Sequence, residues 1–272
     1  MTLARLARRS PQGEGGTLDV PAFIATIRPA KTGGPALADV KVMSAGAVEP
    51  MVRLLGPAFE KESGRRLDLH FGTAGALRAR LESGEGADLV ILPAAVVAAL
   101  EQSGLLVPGS AQDLGRTVTG VCVKEGAAAP DIATPEAFKQ ALLKARGVAY
   151  SDPQAGGSSG NYMAGVLQKL GIADAVAKKS VLGKRGYQVA QAVADGRAEL
   201  GSTFISEILT VKGVRVIGPL PGELYHANTY TAGFPAKSAQ RAAAQALLRG
   251  LTNPATRARW IEAGLEPAFP AG

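Results

Sequence analysis

From Val40 onward the chain runs through three strand–helix units in about sixty residues, and this repeat constrains the fold more than any other feature. Val40–Ser44 is a short apolar strand. The helix after it, Val48–Ser63, carries Met51, Leu54, Leu55, Ala58 and Phe59 at helical spacing. Gly64 stands where a left-handed helix end is wanted. Arg66–Phe71 alternates as a second strand, and a helix through Leu77 and Leu81 closes near Gly84. Asp88–Leu92 is almost wholly apolar, as a parallel strand covered on both faces must be, and Pro93 opens the next helix. Such alternation specifies a doubly wound α/β sheet.

The remainder keeps the same grammar. Val118–Lys124 reads as a strand, and Thr134-Pro135 as a helix start with the threonine as cap and the proline in the first turn. Gly147–Tyr150 is a strand that runs into Ser151–Gly160, with a helix predicted over Asn161–Leu170. A helix is predicted over Gly186–Asp195, strands over Ala198–Ser202 and Val214–Ile217, and an extended segment over Tyr225–Gly233. Two helices, Ser238–Leu251 and Pro254–Ala263, close the chain.

Composition narrows the function class. Hydrophobic residues make up 46% and charged residues 19% of the 272 residues, which is a core-forming balance. The net charge of +7 favours an anionic partner. The basic residues are scattered, without an aromatic-interleaved stripe, so nucleic acid is not expected. No apolar run is long enough to enter a membrane. The single cysteine, Cys122, has no disulfide partner, and with only His70 and His226 a zinc site is not expected. Cys122 reads as a small buried hydrophobe, and no cofactor is called for. Residues 1–38 read as an atypical N-terminal segment. Arg5, Arg8 and Arg9 crowd there without an apolar export core, yet Ala36-Leu37-Ala38 before Asp39 has the form of a signal-peptidase site.

Three loops rich in small residues sit between a strand and a helix: Ser44-Ala45-Gly46-Ala47, Gly72-Thr73-Ala74-Gly75 and Gly156–Gly160, the last carrying Ser158 and Ser159. In open α/β sheets ligands bind beyond the strand carboxyl ends. A helix start there offers free N–H groups and partial positive charge to an anion. Helix capping by Thr73, Ser158 or Ser159 is the plainer account of any one loop. Arg185 and Tyr187, in Lys184-Arg185-Gly186-Tyr187, read as a carboxylate clamp or as an exposed loop. Glu207 reads as a solvated carboxylate at a helix start, His70 as structural, and Glu49 as a dipole-favoured first-turn acid. No nucleophile elbow, Walker loop or His-Glu-x-x-His motif is present.

From Val40 to about Phe269 these residues resemble the molybdate-binding proteins of ABC transporters. The likeness runs through Val42–Ala47, Phe59–Gly64, Phe71–Leu77, Gly86–Ile91, Asp152-Pro153, Leu167–Gly171 and Gly196–Gly201. It implies a two-lobed periplasmic-binding-protein-like fold of type 2. Each lobe would be a doubly wound mixed sheet flanked by helices, with two crossing strands near Thr117–Gly120 and Ala227–Thr231. Lobe 1 would be residues 39–118 and 229–272, lobe 2 residues 119–228. A periplasmic monomer serving a transporter permease is the implied setting.

The ligand positions depart from that family. Ala47 stands where the first loop of the family ends in serine, Thr73 replaces a serine, Gly156-Gly157-Ser158-Ser159 replaces an Ala-Gly turn, and Phe204 replaces a tyrosine. Such changes point to a retuned anion, either a sulfate-like oxyanion or a small carboxylate. Aconitate isomerases of the same fold are also similar to this chain. On that reading it is a cofactor-independent isomerase of a tricarboxylate. The catalytic candidates are then Glu49, His70 and Glu207, beside Arg185 and Tyr187.

Overall fold

The computed structural model describes residues 38–271; the signal-segment reading lies almost wholly outside that range. Strand β1 (Val40–Ala45) pairs in parallel with β2 (Leu67–Gly72) and β3 (Leu89–Pro93). All five residues of β3 are buried, the physical reason for its unbroken apolar run. Helix α1 (Glu49–Ser63) ends on Gly64 at φ 67°, whose N–H returns to the Glu60 carbonyl. Helices α2 (Ala74–Glu82) and α3 (Ala94–Gln102) complete the predicted units.

The thirteen-residue β4 (Gln112–Lys124) joins the two halves. The sequence reading recovered only its second half, because Asp113, Gly115 and Arg116 interrupt the apolar pattern. Residues Gln112–Val118 pair antiparallel with β9 (Ala227–Gly233), which also pairs with β3. From Thr119 on, β4 turns to β7 (Leu200–Phe204) and β8 (Val214–Pro219). The far half adds α4 (Pro135–Lys144), β5 (Val148–Ser151), α5 (Ser158–Lys169), α6 (Ala173–Ala177), β6 (Ser180–Gly183), α7 (Gly186–Ala194) and the single turn α8 (Ile205–Ile208). Helices α9 (Arg241–Leu251) and α10 (Arg257–Glu262) and the short β10 (Glu266–Pro267) return to the first half. The strand order β2-β1-β3-β9-β4-β7-β5-β6 thus runs as one continuous mixed sheet, with β8 and β10 paired to β4 off that path.

The cores follow the same division. One unites residues of 40–114 with residues of 230–269, around Met43, Ile91, Leu247 and Trp260, and takes Phe204 from the other half. Two others lie within 118–227, around Phe138, Met163 and Val189. The fold is a two-lobed α/β architecture with β4 and β9 between the lobes. No helix among the described residues is long and apolar enough to cross a membrane.

Two local differences matter for the site. Helix α5 starts at Ser158 rather than Asn161, with Gly157 as its N-cap. Gly160 therefore lies inside the helix, where a Cβ would come 2.5 Å from the Ser151 carbonyl oxygen. It is a close-packing glycine between helix and strand, not a loop residue. Strand β7 runs to Phe204, two residues beyond its predicted end, which places Phe204 and Glu207 at the lobe boundary.

Candidate functional site

The predicted loops converge. Ala45, Gly46, Ala47, Gly72, Thr73 and Ala74 from one lobe face Ser151, Gly157, Ser158, Ser159, Lys184, Arg185, Gly186, Phe204 and Glu207 from the other, with Tyr230 of β9 between them. They enclose a cavity of about 30 Å³, space for one carboxylate or one tetrahedral oxyanion. The first turns of α2, α5 and α7 start at its wall. The first N–H groups of a helix have no partner within the helix, so this wall presents donors to an anion.

Thr73 does more than cap. Its hydroxyl accepts the Ala76 N–H at 3.3 Å and donates to the Ala155 carbonyl across the cleft at 2.6 Å. The Gly75 N–H donates to the Gly156 carbonyl at 3.1 Å; Gly75 thus joins the lobes and stands outside the cavity lining. Ser158 and Ser159 do not cap α5. Ser44 is fully buried under the loop, its hydroxyl on the Ala45 carbonyl at 3.2 Å.

A second chamber of about 260 Å³ adjoins the first and shares Gly46, Arg185 and Glu207 with it. Glu49, Pro50, Arg53, Tyr187 and Thr210 complete its wall. Glu49 accepts from Arg53 at 2.7 Å and from Arg185 of the opposite lobe. Arg185 also lies over the Tyr187 ring, 5.3 Å from its centroid. The clamp pair and the first-turn acid of the sequence reading therefore meet, but at the outer chamber.

Glu207 overturns its sequence reading as a solvated acid: it is buried, 8% exposed. Its Oε2 accepts from Thr203 at 2.9 Å, and the Gly186 N–H also donates to the carboxylate. The space it occupies exists because two neighbours lack a side chain. A Cβ on Gly186 would overlap the carboxylate, and one on Gly46 would come 2.9 Å from Oε1. Burial pushes the Glu207 carboxyl up to about 7, and Glu49 adds to this. Thr203, Arg185 and the Gly186 N–H pull the other way.

Hydroxyls continue from it. Thr203 Oγ1 lies 3.3 Å from Ser159 Oγ, which lies 3.2 Å from Ser151 Oγ, and all three residues are buried. On the opposite wall, Asn228 donates to Ser158 Oγ at 3.3 Å and to the Tyr230 hydroxyl at 3.4 Å. Burial, with Glu207 nearby, holds the Tyr230 phenol above its ordinary range. Phe204 packs edge-on against Tyr230 and stacks on His226, whose own pKa burial lowers.

His70 stands apart, outside both chambers. Arg80 Nη2 lies 3.1 Å from its Nδ1 and Asp68 Oδ2 lies 2.9 Å from its Nε2. A guanidinium only donates, so Nδ1 accepts from Arg80. The lining residues that sequence reasoning did not single out are Ser151, Lys184, Gly186 and Tyr230. Tyr230 carried one available signal, its place in the late extended segment near the second crossing.

Comparison with known proteins agrees with this geometry. Residues 40–266 match the family model of the bacterial extracellular solute-binding proteins. The chain is 33% identical over 235 residues to an aconitate isomerase of Pseudomonas sp., covering 83% of this chain and 87% of that protein. It is 27% identical over 229 residues to the molybdate-binding protein ModA of Azotobacter vinelandii, covering 80% and 85%. The solved periplasmic molybdate-binding protein of Azotobacter vinelandii superposes with a TM-score of 0.66 at 21% identity, over 85% of this chain and all of that one. The chain belongs to the bacterial extracellular solute-binding protein family.

Proposed function

We propose that the chain captures a small anion in the cleft between its lobes. The carrying observation is the convergence of loops 45–47, 72–74 and 157–159 on one cavity. Its donors are backbone N–H groups and hydroxyls, with Lys184 and Arg185 at the wall. On this reading the lobes are residues 39–118 with 229–272, and residues 119–228. The mature chain works as a periplasmic monomer that delivers its ligand to an ABC permease. Ala45–Ala47, Gly72–Ala74, Ser158, Ser159 and Phe204 contact the ligand, while Ser44 and Gly75 shape the loops.

The outer chamber favours a second reading. A compact oxyanion fills the inner cavity alone, whereas a molecule with several carboxylates extends toward Arg53, Arg185 and Tyr187. This is the ligand shape of a tricarboxylate, and the relative named aconitate isomerase supports it. On that reading the cleft holds a tricarboxylate and moves its double bond.

A thermal-shift screen of the chain from Asp39 onward separates these readings, with molybdate, tungstate, sulfate, phosphate, citrate and both aconitate isomers as probes. A ligand at a hundredfold its Kd adds about 2.7 kcal/mol. A shift with an inorganic oxyanion supports capture of the molybdate type, and a shift with tricarboxylates alone supports the second reading. Thr73→Ala and Ser158→Ala each weaken binding; unchanged affinity in both removes this cavity as the site.

A further inference from the structure

A carboxylate buried in the wall of an anion-binding cleft needs a reason, because a fixed negative charge there opposes the ligand. Glu207 lies where the inner cavity and the outer chamber meet. A ligand with one carboxylate in the inner cavity and another near Arg185 passes its connecting carbons across that junction. We propose that Glu207 is the catalytic acid–base of a 1,3-proton shift on an unsaturated polycarboxylate, with the Thr203–Ser159–Ser151 hydroxyl chain holding its carboxyl in both charge states. This rests on the second functional reading above.

The chemistry balances without a further reactant. Glu207 takes a proton from the carbon next to a bound carboxylate. The electron pair of that C–H bond forms the new C=C bond. The pair of the old double bond accepts the same proton from Glu207 at the far carbon. Nothing is oxidised or reduced, and Glu207 ends as it began. Negative charge that builds up during transfer spreads into the carboxylate held by the helix-start N–H groups and Arg185.

The hydroxyl chain suits a group that must change charge. When Glu207 is ionised, Thr203 donates to it at 2.9 Å. When Glu207 is protonated, its O–H can donate to Thr203, which then turns its own proton to Ser159, and Ser159 donates to Ser151, since each hydroxyl both donates and accepts. A buried carboxyl with a single fixed donor would satisfy one charge state only. The pKa near 7 keeps both states populated at neutral pH. The charged and titratable groups facing Glu207 are Arg185 at the start of α7, Glu49 on α1 and the Tyr230 phenol on β9. Thr203 is a positioning residue: it touches the carboxyl and is not part of the cavity lining.

The test uses trans-aconitate in D2O. Proton NMR follows conversion to the cis isomer and deuterium uptake at the methylene carbon, while a thermal shift reports binding by the same protein. Glu207→Gln should retain the shift and lose conversion and exchange by about 100-fold or more. Thr203→Val keeps the carboxyl but removes the donor to its ionised form, so the acid limb of the pH–rate profile moves to higher pH. That variant decides the matter if Glu207→Gln does not fold. Conversion by Glu207→Gln at the unaltered rate overturns the proposal, as does an unmoved acid limb in Thr203→Val. Binding of trans-aconitate by the unaltered protein with neither conversion nor exchange also overturns it and leaves anion capture standing. If no anion binds, the capture reading itself fails.

Discussion

The claim that Glu207 is fixed by the glycines around it can be tested by filling the space. In Gly186→Ala the new methyl overlaps the Glu207 carboxylate, which must leave its place against Thr203 to make room. Overlap in a packed site costs about 3 kcal/mol at the severe end of the range. Displacing the carboxyl also breaks its bond with Thr203, about 1 kcal/mol. Alanine in place of glycine within a helix returns up to about 1 kcal/mol. The net loss is about 3 kcal/mol, a fall in Tm of about 6–12 °C for a chain of this size. The assay is thermal unfolding of Gly186→Ala, Glu207→Ala and the double variant as a double-mutant cycle. In the Glu207→Ala background the methyl meets open space, so Gly186→Ala there should be neutral or mildly stabilising. If Gly186→Ala costs the same in both backgrounds, or nothing in the natural one, the account of a carboxylate wedged between two glycines is wrong.

Glu207 also sets a pH dependence. Its folded pKa of about 7 lies above the ordinary value of 4.5, so its contribution to stability is complete below pH 4.5 and lost as pH rises through 7. Denaturant titrations should show the natural protein losing about 3 kcal/mol more than Glu207→Gln between those limits. Arg185→Ala should weaken polycarboxylate binding more than oxyanion binding in calorimetric titrations; equal losses would remove its role as a clamp. Cys122, buried with its thiol pushed up to about 12 by desolvation, should resist a thiol-alkylating reagent in the folded protein and react once denaturant unfolds the chain.

Elements were legible in the sequence where local rules decide them. The β1–β3 units showed themselves through period and caps, and α4 through Thr134, whose hydroxyl accepts the Ala137 N–H as a cap should. Reading was weaker where a residue serves a distant partner. Gly160 read as a loop glycine, although its missing side chain lets α5 press against Ser151. The first half of β4 was missed because its alternation is broken where it bends against β9 between Asp113 and Gly115.

The site divides in the same way. That three small-residue loops fall at strand carboxyl ends follows from sequence alone, since turn chemistry and periodicity are local. So do the fold class and the bias toward an anion. The burial of Glu207 could not be read there. Its sequence neighbours, Ser206 and Ile208, are as ordinary in a solvated turn as in a buried one. Its environment comes from Gly46 of one lobe, Gly186 and Thr203 of the other, and the Arg185–Glu49 pair that spans both. Desolvation depends on what the other lobe brings against a side chain, and only the tertiary structure decided that.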